Sequence, residues 1–240
     1  MPARFEVQRA ADRTTTRSSG IVTHHSFAFG SHYDAGSTGH ALLVANNDDR
    51  LEAGSGYPMH PHRDVEIVTW LLSGALQHED SAGRRGRIET GTVQVMSAGT
   101  GIEHAEWNDA GALQPARFVQ MWILPDEAGR TPSYSHCPAL EGDVVILASG
   151  LPAHRSETSA CIGASAALHL FRLPAGRVAA LPEAPHLHLF VARGAFALEG
   201  AGLLGSGDAA RLTGAGGARV TAVGESDNAE MLVWEMHATR

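Results

Sequence analysis

Short apolar runs separated by polar, glycine-bearing turns fill this chain, and helical periodicity is nearly absent. In the first half the runs are HALLVANND (40–48), EIVTWLLSG (66–74), ALQHED (75–80), GRIETG (86–91), TVQVMSAG (92–99) and ARFVQMWILP (116–125). A polar lead-in over residues 1–20 holds one short strand candidate, Arg4 to Gln8. After Pro125 the stretch DEAGRTPSYSHCPALEGD carries two prolines and little periodicity, and reads as a linker. A second series follows: DVVILASG (143–150), ALHLFRLPAGRVAAL (167–181), HLHLFVARGAFALEG (186–200), DAARLTG (208–214), ARVTAVG (218–224) and AEMLVWEMH (229–237). Strands at this density, punctuated by glycine turns, predict an all-β barrel or sandwich.

The two series also resemble each other. WLLSGAL is matched by FVARGAF, an apolar strand entering a glycine turn, and ETGTVQVMSAG is echoed by LLGSGDAARLTG. Two β units in tandem are expected, the first over residues 1–130 and the second over 131–240.

Composition narrows the function classes. The chain has 240 residues, a formal charge of −8, and eighteen basic residues that are all Arg. The densest basic cluster is Arg84, Arg85 and Arg87 in a turn, so no stripe exists to grip nucleic acid or an anionic membrane. Cys137 and Cys161 form no CxxC and read as thiols of a reducing compartment. The N-terminal stretch has no apolar signal core, and no run reaches the ~20 apolar residues of a membrane span. A cytoplasmic protein is expected, with no membrane partner and no direct nucleic-acid partner.

Chemistry concentrates in two short segments. YPMHPHRDVE places His60 and His62 one residue apart, and residues i and i+2 of a strand project from the same face. Pro61 between them suits a strand edge or entry. SAGTGIEHAEWN repeats the spacing with His104 and Glu106. Three imidazoles and one carboxylate suit a first-row ion with open coordination positions, whereas a purely structural site is more often tetrahedral and cysteine-rich. Other candidates weigh less. His24 and His25 are adjacent and face opposite ways on a strand, His78 in QHED reads as solvent-facing, and Asn47-Asp48-Asp49-Arg50 reads as a turn with an Asp–Arg pair. Met59, Met96 and Trp107 flank the ligands and are candidates to line a cavity. His154 and Ser156 lack a nucleophile elbow, and no glycine-rich nucleotide fingerprint opens a helix.

Gly54, His60-x-His62, Glu66 and Gly74, followed by Gly91, Gly101, His104 and Asn108, resemble the two motifs of the cupin superfamily. The first motif's last interval is one residue longer than usual, and Ser97-Ala98-Gly99 replaces a proline-bearing turn. More specifically, HPHRDVEIVTWLLSG, QHEDSAG and VQVMSAGTGIEHAEWN resemble the pirin family, as do LHLFVARGAFALEG and GDAARLTG in the second half. The resemblance implies a bicupin of two tandem double-stranded β-helix (jelly-roll) barrels. It implies one mononuclear metal ion on His60, His62, His104 and Glu106, with iron first and Mn, Co, Ni, Cu or Zn as alternatives. Glu66, Asp64 and Glu103 then lie outside the ligand set.

In the second half His186 and His188 form another HxH, but they lie eight and six residues before Gly194, against fourteen and twelve before Gly74 in the first. Ala180 and Pro182 stand at the ligand-equivalent places, so the second unit is expected to be free of metal and its histidines packed or hydrogen-bonded. The resemblance implies an oxidoreductase of the quercetin 2,3-dioxygenase type, acting on a flavonol-like polyphenol with O2, releasing CO, and using Glu106 as the catalytic base. The alternative is a metal-bound regulatory protein that acts on a protein partner in transcription or metabolism. A monomer is the family-like expectation.

Overall fold

The structure, a computed structural model, describes residues 3–224 and 229–239, so the first two residues of the lead-in fall outside it. The first strands are β1 (Arg4–Gln8), β2 (Thr14–Ser18), β3 (Ile21–His25), β4 (Leu43–Leu51), β5 (Gly56–His62) and β6 (Glu66–Ser73). Then come β7 (Ala75–Asp80), β8 (Arg85–Glu89), β9 (Thr92–Ser97), β10 (Ile102–Trp107), β11 (Ala116–Ile123) and β12 (Ser133–Pro138). The second half continues with β13 (Val144–Ser149), β14 (Thr158–Cys161), β15 (Ala166–Leu173), β16 (Val178–Ala180) and β17 (His186–Arg193). It ends with β18 (Ala195–Leu198), β19 (Gly202–Gly205), β20 (Ala209–Thr213), β21 (Arg219–Val223) and β22 (Ala229–Met236). Three single 3₁₀ turns complete the list, and the described residues contain no α-helix and no helix long and apolar enough to cross a membrane.

The strands build two jelly-roll barrels, each from one seven-stranded and one four-stranded sheet. In the first barrel the orders are β12-β9-β6-β11-β4-β3-β2 and β5-β10-β7-β8. In the second they are β1-β20-β17-β22-β15-β13-β14 and β16-β21-β18-β19. Each half lends an edge strand to the other barrel across the division expected near residue 130: β1 pairs with β20, and β12 pairs with β9.

The large sheets pack back to back. β6 is buried on both faces, which explains why EIVTWLLS reads as a continuous apolar run rather than an alternating one. Its Val68, Trp70 and Leu72 point outward into a shared core with Leu168, Leu170, Phe190, Leu232 and Trp234 of the second barrel. Leu71 points inward to a small cluster with Leu51, Leu76, Ile88 and Phe118. The second barrel is lined instead by an extended apolar cluster that includes Phe171, Leu189, Phe196, Leu212 and Met231.

Two expectations are corrected here. The stretch read as a linker contains β12, which pairs with β9 from Ser133↔Ser97 to Pro138↔Thr92. A mostly exposed edge strand needs no apolar pattern, and proline is tolerated there. Asn47 to Arg50 are not a turn but the interior of β4, paired with β3 on one side and β11 on the other. Asp48 accepts two hydrogen bonds from Arg117, 3.0 Å from Nε and 2.8 Å from Nη2, and no pair with Arg50 forms.

The turn that ends β6 requires its glycine. Gly74 has φ +77°, and a Cβ there would stand 2.7 Å from the Pro115 carbonyl oxygen and 2.9 Å from the Ala116 Cα. Gly176 has the same φ of +77° but open space around it. Gly176→Ala therefore costs only the left-handed backbone penalty of about 1–2 kcal/mol. Gly74→Ala adds a clash with backbone that cannot step aside. A melting point lowered clearly more by Gly74→Ala than by Gly176→Ala, at about 2–4 °C per kcal/mol for this chain length, is the expected result.

Candidate metal centre

The small sheet of the first barrel carries the donor groups. On β5 the alternation turns His60 and His62 to one face while Met59 and Pro61 point to solvent. β10 runs antiparallel beside it in a register that sets His104 directly opposite His60 and Ile102 opposite His62. The three imidazoles converge, with ring centroids 4.8 Å apart for His60–His62, 4.5 Å for His60–His104 and 5.0 Å for His62–His104. Their donor nitrogens lie within 4.8 Å of one another.

The protonation of these rings suits ligation. His60 Nδ1 lies 2.7 Å from the Pro58 carbonyl and donates to it, which leaves Nε2 with its lone pair. His62 Nε2 and both His104 ring nitrogens are buried without a hydrogen-bond partner. Burial, and then the neighbouring imidazoles, pushes His62 and His104 down to about 3, so both are neutral at ordinary pH. Unpartnered buried nitrogens are costly, and a cluster of neutral ones facing one point fits a cation.

Glu106 follows His104 on the same face, but β10 bulges against β5 between the two. Its carboxylate is buried and held from both sides: Oε1 accepts from Gln94 at 2.8 Å and Oε2 from Gln120 at 2.7 Å. Across from Glu106 on β7 stands His78, so that His78, His104 and Glu106 make a second convergent group that shares His104 with the first. The expectation that His78 faces solvent is therefore wrong. The residue is 1% exposed, its ring stacks on Tyr134 at 4.1 Å, and its Nε2 lies 3.8 Å from Asp80 Oδ2. The alternation in ALQHED carried this signal: Leu76, His78 and Asp80 are buried while Ala75, Gln77 and Glu79 are less so.

A cavity of about 420 Å³ opens beside His60. Its walls include Phe29, Trp122, His25, Asn47, Tyr57 and Gln120. The sequence candidates for this lining are corrected. Met59 is 47% exposed, Met96 is buried with Val65 and Ile67, and Trp107 sits on the opposite face of β10 from His104. Glu66 lies outside both groups, bonded by the Ser97 hydroxyl, and Asp64 accepts from the Gly129 amide while Glu103 faces solvent. His24 and His25 do diverge: His24 meets Thr15, and His25 meets Asn47 at the cavity wall. His188 is packed, as expected, against Phe27.

Beneath the cavity, Asp49 is fully enclosed and accepts from the Tyr57 hydroxyl at 2.6 Å and the Thr23 hydroxyl at 2.5 Å. Burial outweighs these bonds and raises its carboxyl from 3.8 to about 7. An acid whose folded value is raised withdraws stability as pH climbs from its unfolded value to its folded one, here between about 4 and 7. Asp49→Asn keeps an acceptor oxygen for both hydroxyls and removes the ionisation. The variant should gain stability over the wild type as pH rises from 5 to 8, by on the order of 2 kcal/mol. Urea midpoints at the two pH values measure it, and an unchanged difference would refute it.

The fold has counterparts in known proteins. A protein of Mycobacterium tuberculosis H37Rv, provisionally named a quercetin 2,3-dioxygenase, is 50% identical over 242 residues, covering 99% of this chain and 97% of that protein. The quercetin 2,3-dioxygenase of Escherichia coli K12 is 37% identical over 143 residues, 59% of this chain and 62% of that protein. Among solved structures, YhhW from Escherichia coli matches with a TM-score of 0.89 at 27% identity, covering 99% of both chains. The same bacterial pirin in complex with nickel(II) matches at 0.88 and 27% identity, over 98% of this chain and 100% of that one. The Pirin family model matches residues 5–123, which span both histidine segments. With the bicupin architecture in place and relatives aligned along nearly its whole length, the chain belongs to the pirin family.

Proposed function

We propose that the chain is a metal-dependent dioxygenase of the quercetin 2,3-dioxygenase type, with the ion held by His60, His62, His104 and Glu106 of the unit spanning residues 1–130. The observation that carries this reading is the set of unpartnered, neutral imidazole nitrogens converging beside a 420 Å³ cavity. A structural ion needs no such cavity, and a regulatory protein that acts through its surface needs none either. Cavities of this size accept compact ligands of drug-like dimensions. The walls, with Phe29 and Trp122 as aromatic faces and His25, Asn47 and Gln120 as polar groups, suit a flat polyphenol. The names of the relatives point to the same substrate class.

The donors suit several first-row ions, with iron the reading adopted here. When bound, the ion supplies Lewis-acid and one-electron chemistry toward a phenolic oxygen and O2. The chain's residues do the rest. Glu106 accepts the proton of the substrate's 3-hydroxyl, turning a flavonol into its electron-rich anion. Gln94 and Gln120 donate to the two Glu106 oxygens and fix the carboxylate's orientation for that transfer. The half-buried ring of Trp122, edge-on to His62 at 4.8 Å, helps to keep water from the reacting anion. Both atoms of O2 enter the opened product, and one ring carbon leaves as CO.

Iron-reconstituted protein should consume quercetin aerobically with release of CO. His60→Ala should lose bound iron and turnover together. Glu106→Gln, which preserves shape, should keep iron on the three imidazoles while kcat falls by about 10²–10⁴-fold, the usual worth of a positioned base. Iron-loaded wild type without CO release would overturn the dioxygenase reading, and unchanged kcat in Glu106→Gln would overturn the base assignment.

A further inference from the structure

The second barrel lacks the cupin ligands: β16, which stands in its small sheet where β5 stands in the first, ends at Ala180. It nevertheless gathers histidines elsewhere. His169 on β15 and Glu235 on β22 are 7% and 6% exposed, and His169 Nε2 lies 2.7 Å from Glu235 Oε2. His237 Nε2 lies 2.7 Å from the other carboxylate oxygen. His154, on the 3₁₀ turn Pro152–His154, brings its ring to 5.7 Å from that of His169, nearly perpendicular to it. The donor atoms of His154, His169 and Glu235 all lie within 4.8 Å of one another.

We propose that His154, His169 and Glu235, with His237 beside them, form a second site for a divalent first-row cation, Zn²⁺ best by donor type.

A hydrogen-bonded His–Glu–His chain would be complete with His169, Glu235 and His237 alone. The third converging imidazole, His154, is what that chain does not require. Its Nδ1 is engaged by the Ser149 hydroxyl at 3.2 Å, which leaves Nε2 for a ligand. Two imidazoles and a carboxylate with a fourth position open is a known donor set for Zn²⁺. His154 is half-buried and His237 is exposed, so the cluster can be reached from solvent.

The position within the barrel supports a ligand site. In the first barrel Gln120 pairs with Asn47 on one side and Thr69 on the other, and Thr69 lies five residues before Gly74. In the second, Val233 pairs with His169 and Leu189, and Leu189 lies five before Gly194. By the same register Glu235 pairs with Leu187, as Trp122 pairs with Ile67. His169 and Glu235 therefore occupy the rungs that Asn47 and Trp122 hold in the wall of the first cavity. The order of the set reverses that of His104-x-Glu106 in the first barrel. Here the pair runs Glu235-x-His237, and its partners come from segments more than sixty residues away.

Chelator-stripped full-length protein titrated with Zn²⁺ against a chromophoric competitor tests the proposal. Wild type should take up two equivalents and His62→Ala one. His169→Ala should lose the other equivalent, its affinity falling by at least about tenfold. Should His169→Ala fail to give soluble protein, Glu235→Gln tests the same site while keeping the side chain's shape. Uptake of one equivalent by wild type, or a second equivalent that survives in Glu235→Gln and His169→Ala, would overturn the proposal.

Discussion

Three imidazoles cannot be desolvated side by side without something to face. His62 Nε2 and both nitrogens of His104 are buried with no hydrogen-bond partner, and burial together with mutual repulsion keeps these two rings neutral. An unpaired buried polar nitrogen costs on the order of 1–3 kcal/mol, so the cluster is a local liability of the apo fold. A cation satisfies one nitrogen on each ring at once, which links the stability of the small sheet to the chemistry at its face. The residues around the cluster follow the same logic: Pro58 fixes one tautomer, and two glutamines hold the carboxylate.

The two barrels divide the work of burial and chemistry. The inner surface of the first is largely polar, with Thr23, Asn47, Asp49, Glu106 and Gln120 where a storage of apolar side chains would otherwise sit. Two small apolar clusters, one around Leu71 and one around Ile67, hold it from within. The second barrel is filled by aliphatic and aromatic residues, and the slab between the large sheets is filled from both sides. Burial at roughly 25 cal/mol per Å² makes those two clusters the main source of stability. A hollow, charged first barrel persists because its outer wall is the inner wall of a larger core. The exchange of β1 and β12 between the barrels binds the two further.

Much of this was legible in the sequence because β-strands encode facing in a period of two. That rule alone put His60 with His62 and His104 with Glu106; the register of β5 with β10 then sets His104 opposite His60, while beyond the bulge Glu106 stands opposite Tyr57. What escaped reading had a common cause. His78 belongs to a strand whose alternation mixes polar residues on both faces, so polarity no longer marks the solvent side. Asn47, Asp48 and Asp49 look like a turn by composition, yet the neighbours on both sides make them strand. β12 is an edge whose side chains are mostly exposed, and an edge strand is held by backbone pairing that leaves no trace in hydrophobicity. Cavity walls were missed for a further reason: Phe29, Trp122 and Tyr57 come from three separated segments, and their meeting is decided by closure of the barrel.

Closure also explains why both barrels place hydrogen-bonding side chains on corresponding rungs. In a jelly roll the strands equivalent to β4 and β11 lie at the middle of the large sheet, where inward side chains near one end reach an opening without leaving the barrel's shelter. A polar residue there is buried enough to be oriented and open enough to meet a ligand. Asn47 and Trp122 occupy those rungs in the first barrel, and His169 and Glu235 in the second. In the second barrel the apolar filling reaches up to Val233 and stops, and the next inward residue on β22 is Glu235. A carboxylate buried at that depth needs donors, and His169 and His237 supply them, holding it below the usual carboxylate range against the opposing effect of burial. The geometry that makes the first barrel's opening a site is thus a property of the fold, and the side chains on those rungs determine which chemistry each opening can host.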